Sequence, residues 1–262
     1  MRTIAVTGAA SGIGAAVAAH LSRQGDRVIG VDLRATDVLC DLATPEGRQT
    51  AIDEVTRLCS GVLDGLVTCA GLGGATGRPA SLLVSVNYFG TVDLLTGLRP
   101  ALARGDAAAA VAISSNSTTV QPGWSPDLVA ACLGGDEDEA RALADERDSM
   151  QAYPATKVAV ARWVRRHAPT SAWVGAGIGL NAVAPGLTET PLVDATRNDP
   201  VLGPMIEQFP VPVGRPGRAE EIAAFIAFLL GPDARFFCGS VVWVDGGSDA
   251  LLRPDAWPAP WS

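Results

Sequence analysis

Lysine is almost missing from this chain. Of 20 basic residues in 262, 19 are arginine and only Lys157 is a lysine. Histidine and tyrosine are nearly as scarce: His20 and His167, Tyr88 and Tyr153. The two histidines fit no catalytic triad and no zinc-ligand spacing, and both read as helix-face residues. The five cysteines (Cys40, Cys59, Cys69, Cys132 and Cys238) are odd in number and lack a C-x-x-C pair. They read as reduced thiols of a cytoplasmic protein, with no disulfide framework and no metal site. Basic charge is short as well, because 28 acids against 20 bases leave a net charge of -8. Nucleic acid and anionic membrane both need a basic face, so neither is an expected partner. No apolar run reaches the roughly 18 residues expected of a bilayer span. The start Met1-Arg2-Thr3-Ile4-Ala5-Val6 leads straight into a strand pattern, so no signal peptide is expected.

What is present is 48% hydrophobic and 18% charged, the composition of a globular chain with one sizeable core. Short apolar runs alternate with helical patterns almost end to end. Strands are expected at 3–7, 27–31, 38–40, 63–68, 107–114, 178–184 and 241–244. Helices are expected at 12–24, 45–59, within 79–103, and at 152–167 and 219–230. Thr44 and Pro45 suit the N-cap and first position of their helix. The 107–114 run is Ala/Val/Ile without alternation, as in strands buried on both faces. The pattern predicts an α/β fold: one Rossmann-type, doubly wound parallel sheet of about seven strands, forming a single domain over 1–262. The rhythm breaks at 116–150, where eight acids face Arg141 and Arg147 and carry a net -6 of the chain's -8. A structureless loop of that length is unusual in a compact domain. A small helical insertion with a solvated acidic face is expected there.

Two motifs carry chemistry. Thr7-Gly8-Ala9-Ala10-Ser11-Gly12-Ile13-Gly14 joins the first strand to the first helix. Glycines in that position permit a tight turn that presents main-chain N–H groups and a helix N-terminus to a pyrophosphate. Asp32 ends the second strand, where a carboxylate accepts the ribose hydroxyls and repels a 2′-phosphate. Arg34 is two residues on, but the glycine loop holds no Lys or Arg, so NAD is expected over NADP. The cofactor set also takes in Asp41 and Leu42, with Asp41 readable either as an adenine contact or as a turn residue. Further along, Tyr153-Pro154-Ala155-Thr156-Lys157 sets a phenol and an ammonium one helical turn apart. A cation near a phenol favours the phenolate, and a general acid–base works best with a pKa near the working pH.

Over essentially its whole length the chain resembles the short-chain dehydrogenase/reductases. The matching pieces are the T-G-x-x-x-G-x-G loop, Asp32, Cys69-Ala70-Gly71, Asn87, Ser114-Ser115, Tyr-x-x-x-Lys, Asn181-Ala182-Val183-Ala184-Pro185-Gly186 and Asp245-Gly246-Gly247. The three-residue gap between Tyr153 and Lys157 argues against the enoyl-reductase branch. Chain length and loop spacing argue against the larger sugar epimerases. The 38 positions from Ser115 to Tyr153, the Val84–Gly90 run and the Leu252-Arg253-Pro254 tail are most similar to the subgroup of bacterial 3α-hydroxysteroid dehydrogenase/carbonyl reductases. Three features depart from the usual pattern: Cys69 where Asn is common, Pro154 directly after the tyrosine, and the long insertion. Pro154 implies that its helix begins there.

The resemblance implies that Tyr153 exchanges the hydroxyl proton and that Lys157 binds the nicotinamide ribose and lowers the phenol's pKa. It implies that Ser115 holds the substrate oxygen, with Ser114 as runner-up, and that Asn87 holds a water in the proton path. Gly8, Ser11, Gly12, Ile13, Gly14, Ala70, Gly71, Pro185 and Gly186 would contact the cofactor, with the Val183 main chain and Thr188 on its carboxamide. A loop over 187–213, with Pro191, Leu192, Val193, Met205, Ile206, Phe209 and Val211, would cover a bulky, weakly polar alcohol or ketone such as a steroid. Leu72, Thr118 and Trp124 are further wall candidates. The expected activity is NAD-dependent interconversion of a secondary alcohol and a ketone. The alternatives are an NADPH-dependent biosynthetic ketoreductase and a non-catalytic dinucleotide-binding protein. The insertion lies where many relatives form tetramers, so a homo-oligomer of another kind, a dimer, is expected.

Overall fold

A computed structural model describes residues 1–121 and 123–256. In chain order the strands are β1 (Thr3–Thr7), β2 (Arg27–Asp32), β3 (Val38–Leu39), β4 (Gly65–Thr68), β5 (Ala109–Ile113), β6 (Gly179–Pro185), β7 (Thr188–Glu189), β8 (Gly217–Arg218) and β9 (Val241–Val244). Seven of them form one sheet in the order β3-β2-β1-β4-β5-β6-β9, while β7 and β8 pair separately. All the pairings are parallel. Strand order reverses between β1 and β4, so a crevice opens at their carboxyl ends.

Alternation along each strand divides the core between two layers. Ile4, Val6, Val67, Val111 and Val183 meet the Gly12–Arg23 and Ala219–Leu229 helices through Val17, Leu21, Ile222 and Ile226. Ala5, Leu66, Ala110, Ala112 and Ala182 face the other way, toward Val55, Leu94, Leu98, Val158 and Trp163. Alanine is common on that second face because the helices above it supply the volume. Each fully buried Leu or Val contributes roughly 1.5–3 kcal/mol. Thr44 accepts from Gly47 N–H at 3.0 Å and Pro45 opens the Pro45–Leu58 helix, as its sequence predicts.

Three expectations change. The 79–103 segment is two α-helical pieces, Ala80–Leu83 and Gly90–Leu102, joined by a π-helical turn over Val84–Phe89. Taken together, Ala80–Leu102 is a helical stretch long and apolar enough to cross a membrane by length and composition. An 18-residue window of it is 67% buried inside the protein, so its apolarity serves the core. Pro154 does not start its helix, which runs Ser149–His167 from an Asp148 cap that accepts from Gln151 N–H at 2.8 Å. The missing proline N–H leaves the Met150 carbonyl without its helical donor, and Gln121 Nε2 donates to it at 2.8 Å instead.

Among its described residues the insertion forms a short helix, Ser117–Val120, and two longer ones, Pro126–Gly134 and Glu137–Asp145, which Gly135 at φ +81 separates. Leu128, Val129 and Cys132 bury against the layer containing Val160 and Trp163. Its acids are not only a solvated face. Asp136 and Asp148 cap helices, and Asp145 accepts from Ser81 N–H at 2.9 Å. Glu137 turns inward to pair with Arg48, whose side chain is 3% exposed, and accepts from Ser85 Oγ at 2.7 Å. Asp93 meets the same guanidinium at 2.7 Å. Burial raises the Asp93 carboxyl above its usual range, while Arg48 pulls it down. Removing one carboxylate leaves a buried guanidinium half-compensated. Glu137→Gln is therefore expected to cost about 1–3 kcal/mol, read as a lower urea midpoint. An unchanged midpoint would mean that Asp93 alone satisfies Arg48.

Candidate active site

The carboxyl ends of β1, β2, β4, β5 and β6 open into one cleft of about 780 Å³. Its nucleotide end is the β1–helix turn. Gly8 sits at φ +68, where a Cβ would lie 2.9 Å from Ala70 N, and a Cβ on Gly14 would lie 2.1 Å from the Gly8 carbonyl. Side chains are thus excluded where strand, turn and helix converge. Ser11 caps the Gly12–Arg23 helix without using its hydroxyl, and no acid occupies the first turn. The helix dipole there is left uncompensated by the chain itself. Asp32 is half-buried and oriented by two main-chain donors, Ala10 N–H at 3.0 Å and Leu33 N–H at 2.7 Å. Asp41 lines the cleft and accepts from Ala43 N–H at 2.9 Å in a turn. These donors and carboxylates match the pyrophosphate and ribose of a dinucleotide.

At the other end Ser115, Tyr153 and Lys157 meet. The two serines separate clearly. Ser114 Oγ donates to the Lys157 carbonyl at 2.9 Å and so serves the scaffold, whereas Ser115 Oγ accepts from Ser117 N–H at 3.1 Å and stands close enough to the Tyr153 phenol to lower its pKa. Lys157 Nζ lies 5.9 Å from the Tyr153 ring centre and donates to the Ile113 carbonyl at 3.1 Å. Desolvation lowers the ammonium's pKa to about 8. The same burial raises the phenol above its ordinary value, opposed by Ser115. The net direction for Tyr153 is opposite to that expected from a neighbouring cation, because burial is the larger cause. Beside them, burial pushes the Cys69 thiol up to about 12.

Gly8, Ser11, Gly12, Ile13, Gly14, Asp32, Asp41, Leu42, Ala70, Gly71, Ser115, Tyr153, Lys157, Pro185, Gly186 and Thr188 all line the cleft. Two candidates do not. Val183 is fully buried inside β6 and its carbonyl accepts from Ser114 N–H at 2.8 Å, so the wall is reached two residues later at Pro185. Asn87 stands one layer behind, also fully buried. Its amide clamps Leu72, accepting from N–H at 2.7 Å and donating to the carbonyl at 2.9 Å. A Cβ on Gly71 would lie 3.2 Å from Asn87 Oδ1 and 3.4 Å from Lys157 Nζ, so both groups pack against that glycine.

The substrate end is apolar. Leu72, Pro191, Leu192 and Val193 line it as expected, while Met205 is 61% exposed and points to solvent. Thr118 and Trp124 are not on this wall: Thr118 bonds the Ser115 carbonyl, and Trp124 stacks with Arg162 at 4.9 Å. Leu82 and Val86 were missed. Their i,i+4 spacing just ahead of Asn87 was the available signal. His20 bonds Gln24 on a helix surface and His167 stacks on Trp163 at 4.1 Å, in keeping with their helix-face reading.

Comparison with known proteins bears on this geometry. The short chain dehydrogenase model matches residues 2–127, and a model described as enoyl-(acyl carrier protein) reductase matches 144–249. The stretch between them falls in the insertion. The chain is 42% identical over 257 residues to 3-alpha-hydroxysteroid dehydrogenase/carbonyl reductase of Comamonas testosteroni, covering 97% of this chain and 99% of that one. It is 32% identical to cis-4-hydroxycyclohexanecarboxylate dehydrogenase of Sinomonas cyclohexanicum, covering 95% and 97%. Among solved structures, 3-alpha-hydroxysteroid dehydrogenase from Pseudomonas sp. B-0831 complexed with NADH superposes with a TM-score of 0.93 at 48% identity, over 97% of this chain and 100% of that one. With this sheet order, this cleft and relatives of such length and identity, the chain belongs to the short-chain dehydrogenase/reductase family.

Proposed function

We propose that this chain, acting as one catalytic domain, interconverts a secondary alcohol and a ketone with NAD. The observation that carries the reading is the Ser115–Tyr153–Lys157 group at one end of a cleft whose other end is closed by Asp32. Bound in that cleft, NAD supplies the hydride acceptor or donor. Everything else falls to the chain. Ser115 holds the substrate oxygen against the phenol, and Tyr153 takes or returns its proton. Lys157, held by Ile113, keeps positive charge beside that exchange and contacts the nicotinamide ribose. The Asn87 side chain is engaged by Leu72 and acts as a clamp on the loop beside Lys157. Asp32 accepts from the adenosine ribose, and the helix N-terminus at Ser11–Ile13 takes the pyrophosphate. Thr188, Pro185 and Gly186 border the nicotinamide.

The apolar wall of Leu72, Leu82, Val86, Leu192 and Val193 supports a bulky, weakly polar substrate. The names of the most similar relatives support a hydroxysteroid or related carbonyl compound. Tyr153→Phe is expected to lower kcat by at least about a hundredfold with little change in the KM for NAD. Because burial raises the phenol, alcohol oxidation needs its rarer unprotonated form. Oxidation is expected to accelerate from neutral toward alkaline pH, while ketone reduction, which uses the protonated phenol, is expected to stay level until the pH passes the phenol's raised pKa. A Tyr153→Phe enzyme at wild-type rate sinks the mechanism.

Asp32→Ala is expected to raise the KM for NAD about tenfold, the loss of one charge-assisted contact. A wild-type preference for NADP would favour a biosynthetic ketoreductase, with Arg34 at the cleft wall as its phosphate contact.

The insertion helices cover the Ser149–His167 helix and the Val84–Phe89 turn. That supports a dimer assembled elsewhere on the surface. Light scattering is expected to give twice the 26.9 kDa chain mass, and a tetramer would count against it.

A further inference from the structure

The 187–213 segment is anchored at its two ends. Its near end is held by the β7–β8 pair, and its far end by Ser248 Oγ donating to the Pro210 carbonyl at 2.7 Å and Val213 N–H donating to the Gly246 carbonyl at 3.1 Å. Between these anchors, residues 190–209 arch over the cleft. Thr190 comes down beside Gly12 at the nucleotide end, and Leu192 beside Gly73 at the substrate end. Among the described residues, only two hydrogen bonds tie 190–209 to chain outside 187–218. Thr76 donates both of them to Asp199: its N–H to Oδ2 at 2.8 Å and its hydroxyl to Oδ1 at 2.9 Å.

Both halves of this clasp are built to meet. On the arch, Asp199 Oδ1 also accepts from Val201 N–H at 2.9 Å and Leu202 N–H at 3.1 Å, which fixes the carboxylate's orientation. Donors from Thr76, Leu202 and Val201 bring the carboxyl's pKa down to about 2, so it is charged throughout the neutral range. On the other side, the 72–78 loop is held rigidly. Buried Ser149 donates to the Ala75 carbonyl at 2.8 Å and accepts from Ala75 N–H at 3.0 Å, and Asn87 clamps Leu72. Ser149 lies four residues before Tyr153, about 6 Å along the same helix face. The fixed half of the clasp is therefore bolted to the helix that carries the phenol.

We propose that the Asp199–Thr76 clasp is the latch that holds the 187–213 segment closed over substrate. It makes both residues positioning residues for the alcohol–ketone reaction, and this rests on the functional reading above. An arch with exposed Leu192, Val201 and Met205 gains little from packing on its outer side, so two hydrogen bonds carry a large share of closure. When they break, residues 190–209 swing on their anchors and the apolar wall opens.

Arg197 lies on the arch itself and supplies a direct readout, since trypsin cuts a folded chain where it opens locally. Thr76→Val removes the hydroxyl bond at an exposed site and leaves the sequence around Arg197 untouched. Cleavage after Arg197, followed by mass spectrometry, is expected to run about 3–10 times faster in Thr76→Val than in wild type. The KM for a bulky secondary alcohol is expected to rise by a similar factor without a fall in kcat. Thr76→Ser, which keeps both donors, is expected to match wild type in both measurements. Asp199→Asn combined with Thr76→Val is expected to raise KM by less than the product of the single effects. Cleavage and KM unchanged in Thr76→Val would overturn the latch, as would Thr76→Ser behaving like Thr76→Val. A wild-type protein with no NAD-linked turnover would sink the functional reading instead, leaving the proteolysis result standing.

Discussion

The Lys157 ammonium donates to the Ile113 carbonyl at 3.1 Å, in surroundings dry enough to bring its pKa to about 8. A charge in such a place needs its neighbours held still, and much of the local structure serves that end. Ser114 bonds the lysine's own carbonyl and ties the Ser149–His167 helix to the end of β5. Asn87 spends its amide on Leu72, which brings the β4 loop up against the ammonium. Asn87 itself lies within the π-helical turn over Val84–Phe89. Ser115, whose Oγ accepts from Ser117 N–H at 3.1 Å, stands beside Tyr153.

The same helix shows how a violated rule is compensated at a distance. Pro154 lies one residue from the phenol and removes a helical donor, yet the chain continues as helix because Gln121 reaches back to the Met150 carbonyl. That glutamine belongs to the start of the insertion. The insertion in turn is fastened to the body by Arg48, which Glu137 and Asp93 share. An element that looked like surface decoration in composition is thus structurally continuous with the catalytic helix. Its acids have divided duties, as helix caps and as one inward-facing counter-ion.

Much of this was legible in the residues alone. Strand and helix positions followed from apolar runs and caps, and the seven-stranded parallel sheet followed from their alternation. The glycine turn, Asp32, Tyr153 and Lys157 were legible because local spacing is what creates them: a turn, a strand end, a helical repeat. What stayed hidden was whatever depends on distant partners. Nothing near Val183 indicated that its carbonyl would be taken by Ser114, or that the wall would begin at Pro185. The roles of Ser114 and Ser115 diverge only because one faces Lys157 and the other Tyr153. Thr76 and Asp199 are 123 positions apart and ordinary in isolation.

Two quantities mark the boundary. The identity of the lone lysine, one turn from Tyr153 in a chain otherwise using arginine, is a property of sequence, since helical periodicity puts both on one face whatever surrounds them. The proton affinities of that pair are not. They follow from how much water the surrounding fold excludes, and desolvation is a sum over neighbours that only the tertiary structure assembles.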